Sequence, residues 1–318
     1  IYVDAADVSF FPPVGDDGKL EQFEGIERRI AEDLPEIYRQ ERFEKWNRFR
    51  EEGSTRYVAL TLPEFILRPL YSPEDEENHV KLFNYYEQAY RKEERDGQVR
   101  NNFIWAPASI LFGEKMIGSF IRSGWCHMVI GEESGGRVSN LPDMNQLAHR
   151  IPLSIGLSDK KAYSLRQLGF LPLSHISGSE AVFYGANSIH KPPRFEDSEA
   201  GRILQYSYRL GIQLPYLTIV SRFAHHLKII NRRNIGSFKS KEDVRQQMQG
   251  WINQYVSNSD SPDAETRMRR PLRAAEVTLV EEMAGGPGWY KVHIQLKPHI
   301  KFEGTYITLE LVGEIAKK

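Results

Sequence analysis

The chain has 318 residues, more than one ordinary domain holds, because single hydrophobic cores stop growing at about 250–300 residues. Its 42 lysines and arginines against 43 acids leave a formal net charge of −1, which gives no global electrostatic case for a nucleic-acid or membrane-surface partner. Cys126 is the single cysteine, so no intrachain disulfide is possible, no stretch is apolar enough to span a bilayer, and the start IYVDAADVSFFPP lacks a secretory pattern.

The charge is uneven along the chain: Asp16 to Glu36 is acidic, whereas Arg222 to Arg245 and Arg267 to Arg273 are basic. Such runs suit contacts between copies or simply form solvated faces. The chain opens on Ile1, not methionine, which leads us to expect a preceding segment.

After Lys19 the spacing of Phe23, Ile26, Ile30 and Leu34 predicts a helix, and Phe43, Trp46 and Phe49 a second one ended by Gly53. Tyr57 to Leu62 alternates and reads as a strand stopped by Pro63. The charged stretch from Ser72 to Asn102 reads as an exposed excursion with one helix. Pro107 to Ile121, with Ile110, Ile117, Phe120 and Ile121, predicts a helix that leads through Gly124 into a short strand, Trp125 to Ile130. Beyond the turn GEESGGR we expect a strand over Ile151 to Leu157, a helix capped by Ser158 and stopped at Gly169, and a strand from Phe170.

The paired prolines and charges of SIHKPPRFEDSEAG mark the best domain boundary, dividing the chain into 1–192 and 193–318. Past it, Tyr216, Val220, Phe223, Leu227 and Ile230 make one apolar helical stripe opposite Ser221, His225, Lys228 and Arg232. A further helix starts at the cap Ser240, with Asp243 three residues on, and carries Val244, Met248, Trp251 and Tyr255 on its apolar face.

The last fifty residues hold three segments of period two. Val277 and Leu279 alternate with Glu276 and Thr278; Val292, Ile294 and Leu296 alternate with His293 and Gln295; Ile307, Leu309 and Leu311 alternate with Thr308, Glu310 and Val312. Gly285, Gly286, Pro287 and Gly288 supply the first turn. The fold class is therefore α+β, ending in a narrow three-stranded sheet whose edges another chain can use or other strands of the same domain can cover.

No catalytic, cofactor-binding or metal site stands out. Cys126 and His127 are adjacent on a predicted strand and point to opposite faces, so they cannot pair as thiol and base. His225 and His226 lie a hundred degrees apart on a helix, not at the one-face spacing of a helical zinc site. The GEESGGR loop lacks the lysine of a phosphate-binding loop and carries two acids.

Several strings do point elsewhere, in order along the chain: KWNRFREEGSTRYVALTLPEFILR from Lys45, SGWCHMVIGEESGGRVSNLP from Ser123, LRQLGFLPL from Leu165, LPYLTIVSRFAHHLKIINRRNIGS from Leu214, then RPLRAAEVTLVEE, GPGWYKVHIQLKPH and LELVGEI. With them the chain resembles the large subunit of the type VI secretion contractile sheath, the TssC/VipB/IglB family. It departs from the family pattern at Glu64, where an arginine usually follows LTLP, at RPLYSP in place of RLPYG, and at IKFEG in place of FQLEG.

The resemblance implies a non-enzymatic structural protein of the bacterial cytoplasm, with no cofactor, no nucleic acid and no membrane insertion. Its partners would be a small sheath subunit of the TssB/VipA/IglA kind as obligate heterodimer, further copies of itself, an Hcp-like inner tube, a baseplate at the inner membrane and a disassembly ATPase recognising a segment before Ile1. It implies that the C-terminal sheet, flanked by long helices, is completed by strands of neighbouring subunits. The residues of that pairing would be Val277, Leu279, Val292, Ile294, Leu296, Ile307, Leu309 and Leu311. The basic face of Lys228, Arg232 and Arg233 would touch the inner tube or an acidic neighbour. A phage-type tail sheath shares this logic, and a soluble enzyme using Cys126 or the histidines is the alternative of a different class.

Overall fold

The computed structural model describes residues 1–6, 38–39, 41–71, 85–88, 90–92, 99–101, 103–142, 151–193, 195–234, 239–257, 259, 262–281, 290–299 and 309–315. In chain order these form β1 (Tyr2–Ala5), a 3-10 turn (Glu41–Phe43), α1 (Glu44–Phe49), a 3-10 turn (Gly53–Tyr57), β2 (Val58–Leu62), β3 (Phe65–Ile66), β4 (Tyr90–Lys92), β5 (Val99–Asn101) and β6 (Trp105–Ala106). Then come α2 (Ser109–Ser123), β7 (Arg137–Val138), α3 (Asp159–Gln167), β8 (Phe170–Ser177), β9 (Glu180–Phe183), α4 (Glu199–Gly211) and α5 (Leu214–Asn234). The chain closes with α6 (Lys241–Asn253), α7 (Ala264–Arg269), β10 (Leu272–Glu281), β11 (Tyr290–Pro298) and β12 (Leu309–Ile315).

The protein mixes helices with two main sheets. The first has five strands in the order β1-β2-β8-β9-β7, parallel from β1 through β2 to β8 and antiparallel beyond. Parallel strands are covered on both faces, and VALTL in β2 is apolar on both sides for that reason. Ala59 packs with Leu171, Leu173 and Phe183 under Phe112 of α2, while Leu60 and Leu62 pack with Phe170, Leu165, Leu168 and Trp46 on the other face.

The second sheet, β10-β11-β12, is antiparallel and lies on α5 and α6. Val277, Leu279, Val292, Ile294 and Leu296 are all buried against Phe223, Leu227, Met248 and Ile252. Helix α5 joins the two cores: Leu214 and Leu217 belong to the first, and Tyr216, Val220, Phe223 and Leu227 to the second.

Local chemistry sets the ends of these helices. The Ser158 hydroxyl accepts from the Lys161 amide to start α3, and Gly169, at φ 89°, turns the chain out into β8. At α6 the cap is reciprocal: Ser240 Oγ accepts from the Asp243 amide while the Asp243 carboxylate accepts from the Ser240 amide.

Two predicted strands are not strands. Trp125 to Ile130 runs irregularly, because side chains bind its backbone: Ser119 Oγ donates to Trp125 O and accepts from Met128 N, and Thr218 Oγ1 donates to Cys126 O. Among the described residues, Ile151 to Leu157 makes one bridge, Leu153 to Phe65, flanked by bonds from Ile66 N to Pro152 O and from Ser154 N to Glu64 O, and pairs no further. Of the excursion after Ser72, the described parts include the short pair β4-β5, not a helix. The proposed boundary segment ends in the first turn of α4, since Glu199 to Gly201 are helical. The expected helix of Phe23 to Leu34 and the turn Gly285 to Gly288 lie outside the described residues.

Candidate assembly interface

Past a register shift between Leu272 and Ala274, the three C-terminal strands pair in step, Val277 opposite Ile294, Leu279 opposite Val292, Ile294 opposite Leu311 and Leu296 opposite Leu309. So of the eight strand residues singled out by sequence, seven meet in one ladder, and Ile307 lies outside the described residues. The side chains of Val277, Leu279, Val292, Ile294 and Leu296 are buried against α5 and α6, so what these strands can offer another chain is the backbone of the edges.

The two edges differ. At the start of β10 the chain covers its own edge: Ser257 N donates to Leu272 O (2.9 Å) and Leu272 N to Tyr255 O (3.2 Å). Further along, the side chain of Gln249 on α6 takes over. Its Oε1 accepts from Val277 N at 2.9 Å, and its Nε2 donates to Ala275 O at 2.9 Å and to Asn253 Oδ1 at 2.8 Å.

That contact also fixes the ladder's parity. Because Val277 N points outward, and N–H and C=O of a strand residue point the same way, Ile294 directs its backbone groups to β12 and Leu309 and Leu311 direct theirs back to β11. The outward backbone groups of β12 are then those of Glu310, Val312 and Glu314. Among the described residues no strand pairs with that side.

The basic residues Lys228, Arg232 and Arg233 are all exposed on α5, with Lys228 and Arg232 four residues apart on one face. The apolar residues that mark α2 in the sequence form an exposed face, not a buried one. Ile110, Ile117, Phe120 and Ile121 are 57%, 63%, 50% and 77% exposed, while Phe112 and Ser119 are buried. The Arg222 guanidinium lies over the Phe120 ring at 5.6 Å and over Trp125 at 4.6 Å.

The groups that could support chemistry have the following surroundings. Burial pushes the half-buried Cys126 thiol above its ordinary value, with nearby Arg222 only partly opposing, so the thiolate is disfavoured. His127 is buried, which lowers it to about 4, and its Nε2 sits 3.3 Å from Arg267 O. His225 and His226 have ring centroids 6.0 Å apart, and the second rests on Trp251 at 5.2 Å. His190 is held between Thr55 Oγ1 at 2.9 Å and Tyr208 OH at 2.6 Å. Among the described residues no three His, Cys, Asp or Glu gather as a metal site requires, and no helix is long and apolar enough to cross a membrane. The GEESGGR loop is a tight turn in which Gly135, at φ 90°, has no room for a Cβ: that atom would lie 2.2 Å from Met128 O.

With the fold in view, comparison with known proteins is decisive. Residues 18–190 match the family model described as EvpB/VC_A0108, tail sheath N-terminal domain, and residues 204–315 match EvpB/VC_A0108, tail sheath gpW/gp25-like domain. The chain belongs to this tail sheath family. It is also 35% identical over 291 residues to the type VI secretion system sheath protein TssC1 of Pseudomonas aeruginosa, an alignment that covers 89% of the chain and 56% of that protein. The chain thus spans a little over half the length of this relative. The family is that of the type VI sheath large subunit, a structural component, and the resemblance read from the sequence holds.

Proposed function

We propose that this chain acts as a large sheath subunit which assembles, with a small sheath subunit as obligate partner and with further copies of itself, into a contractile helical tube. The tube surrounds an inner tube of Hcp-like rings in the bacterial cytoplasm, stands on a baseplate at the inner membrane, and propels the inner tube and its effectors into target cells as it contracts. A disassembly ATPase is a further partner of the assembled sheath.

The observation that carries this reading is the outward edge of β12. Glu310, Val312 and Glu314 each offer an N–H and a C=O to an incoming strand. At about 0.5–1.5 kcal/mol net per hydrogen bond, an added strand contributes several kcal/mol without fixing one angle between rigid bodies. The seven ladder residues hold the platform and the backbone of β12 makes the join. The break between the two family matches, from residue 190 to 204, supports a division into 1–192 and 193–318. Lys228, Arg232 and Arg233 contact the inner tube or an acidic neighbour.

Co-expression with a small sheath subunit, followed by negative-stain electron microscopy, tests the proposal. Hollow tubules support it, and persistently monodisperse particles refute it.

A further inference from the structure

A sheet with two equivalent open edges would accept a strand on either side, and a sheath needs one register. Nothing in the periodicity of β10 and β12 chooses between them. The side chain of Gln249 does.

We propose that Gln249 stands in for a fourth strand and closes the β10 edge, so that an extended segment of another chain adds at β12. The inference rests on the strand-addition reading above and names the edge at which it operates. The amide of Gln249 copies what a neighbouring strand supplies, one acceptor for Val277 N and one donor for Ala275 O, spaced to fit two outward residues of the same strand. Its remaining N–H goes to Asn253 Oδ1, one turn along α6, so all three contacts demand the same amide orientation. Gln249 is itself partly buried on a helix seated against β10. With Leu272 already bonded to Tyr255 and Ser257, the guarded length runs from Leu272 to Val277. Among the described residues, the outward positions beyond it are Leu279 and Glu281.

The substitutions Gln249→Ala and Gln249→Glu separate the elements of this claim. The first removes the whole amide; the second replaces its donor by a carboxylate oxygen facing Ala275 O and Asn253 Oδ1, whose repulsion drives the side chain off the strand and away from Val277 N, and serves if the alanine variant folds poorly. Two hydrogen-exchange measurements decide.

In the protein without its partner, the Val277 amide should exchange at least about tenfold faster in either variant, a factor that corresponds to loss of one local protecting bond. Unchanged exchange in both overturns the clip, whatever the sheath reading. In tubules formed with the small sheath subunit, the wild-type peptide over 309–315 should gain protection and that over 275–281 should not. New protection over 275–281 in wild-type tubules overturns the assignment of the edge while leaving strand addition standing. Failure to form tubules counts against the sheath reading itself, and the Val277 measurement then judges the clip alone.

Discussion

Trp125 stacks on Phe223, with ring centroids 5.0 Å apart and planes inclined by 28°, and Tyr255 meets both rings edge-on at 5.3 and 5.6 Å. This cluster ties the irregular segment after α2 to the middle of α5 and to the end of α6, so it joins the part of the chain before the proposed boundary to the C-terminal sheet.

Phe223 is fully buried in that cluster. Phe223→Ala should therefore cost about 3–5 kcal/mol, the range for a large aromatic removed from a core. Urea denaturation measures it. A loss under about 1 kcal/mol would mean that the site collapses freely and does not join the two parts.

Cys126, next to Trp125, has its carbonyl held by Thr218 and its thiol pushed toward the neutral form by burial. Cys126→Ala should leave tubule formation unchanged, and the wild-type thiol should react slowly with iodoacetamide at pH 7. Rapid alkylation, or loss of assembly on substitution, would restore a chemical role for this residue.

Burial holds His127 at about 4, below its ordinary value, so the folded protein binds a proton less readily than the unfolded chain. The stability linked to this group is fully present above about pH 6.5 and is lost as pH falls toward about 4. Its upper bound is about 3 kcal/mol. His190, His226 and His299 are shifted in the same direction, each chiefly by burial. The urea midpoint should therefore fall between pH 7 and 5, and His127→Gln should flatten that slope. An equal slope in the variant would remove His127 from the account.

Much of the C-terminal unit was legible because its signals are local. Tyr216, Val220, Phe223 and Leu227 repeat at helical spacing, Ser240 and Asp243 form a cap within four residues, and β10 and β11 alternate cleanly. The parallel pairing of β1 with β2 and of β2 with β8 left no such mark, because it joins residues more than fifty and more than a hundred positions apart. Trp125 to Ile130 and Ile151 to Leu157 are as apolar as strands, since both are buried, yet hydroxyls and single bridges satisfy their backbones in place of ladders. On α2 the pattern located the helix but not its buried side: Phe112 turns inward and Ile110, Ile117 and Ile121 stay outside. Gln249 was invisible for a different reason, because a glutamine on a polar helix face gives no hint that its amide reaches a strand.

The exposed positive side chains of Lys228, Arg232 and Arg233 give the proposed contact with the inner tube or an acidic neighbour a direct check. Reversing all three to glutamate should leave the fold intact, since none is buried, and should reduce assembly or secretion. The effect should shrink in wild-type protein as salt rises, because exposed charges are screened over about 8–10 Å. Unchanged assembly and secretion in the triple variant would refute the contact.

The central claim is that another chain's strand joins the outward edge of β12. Val312→Pro tests it most directly, because it removes an outward N–H while Leu309→Pro breaks the chain's own ladder and serves as the control for disruption of the sheet. In negative-stain images of the protein co-expressed with a small sheath subunit, wild type should give hollow tubules and Val312→Pro should give none, although its circular dichroism and urea midpoint stay close to wild type. Normal tubules from Val312→Pro would contradict the account.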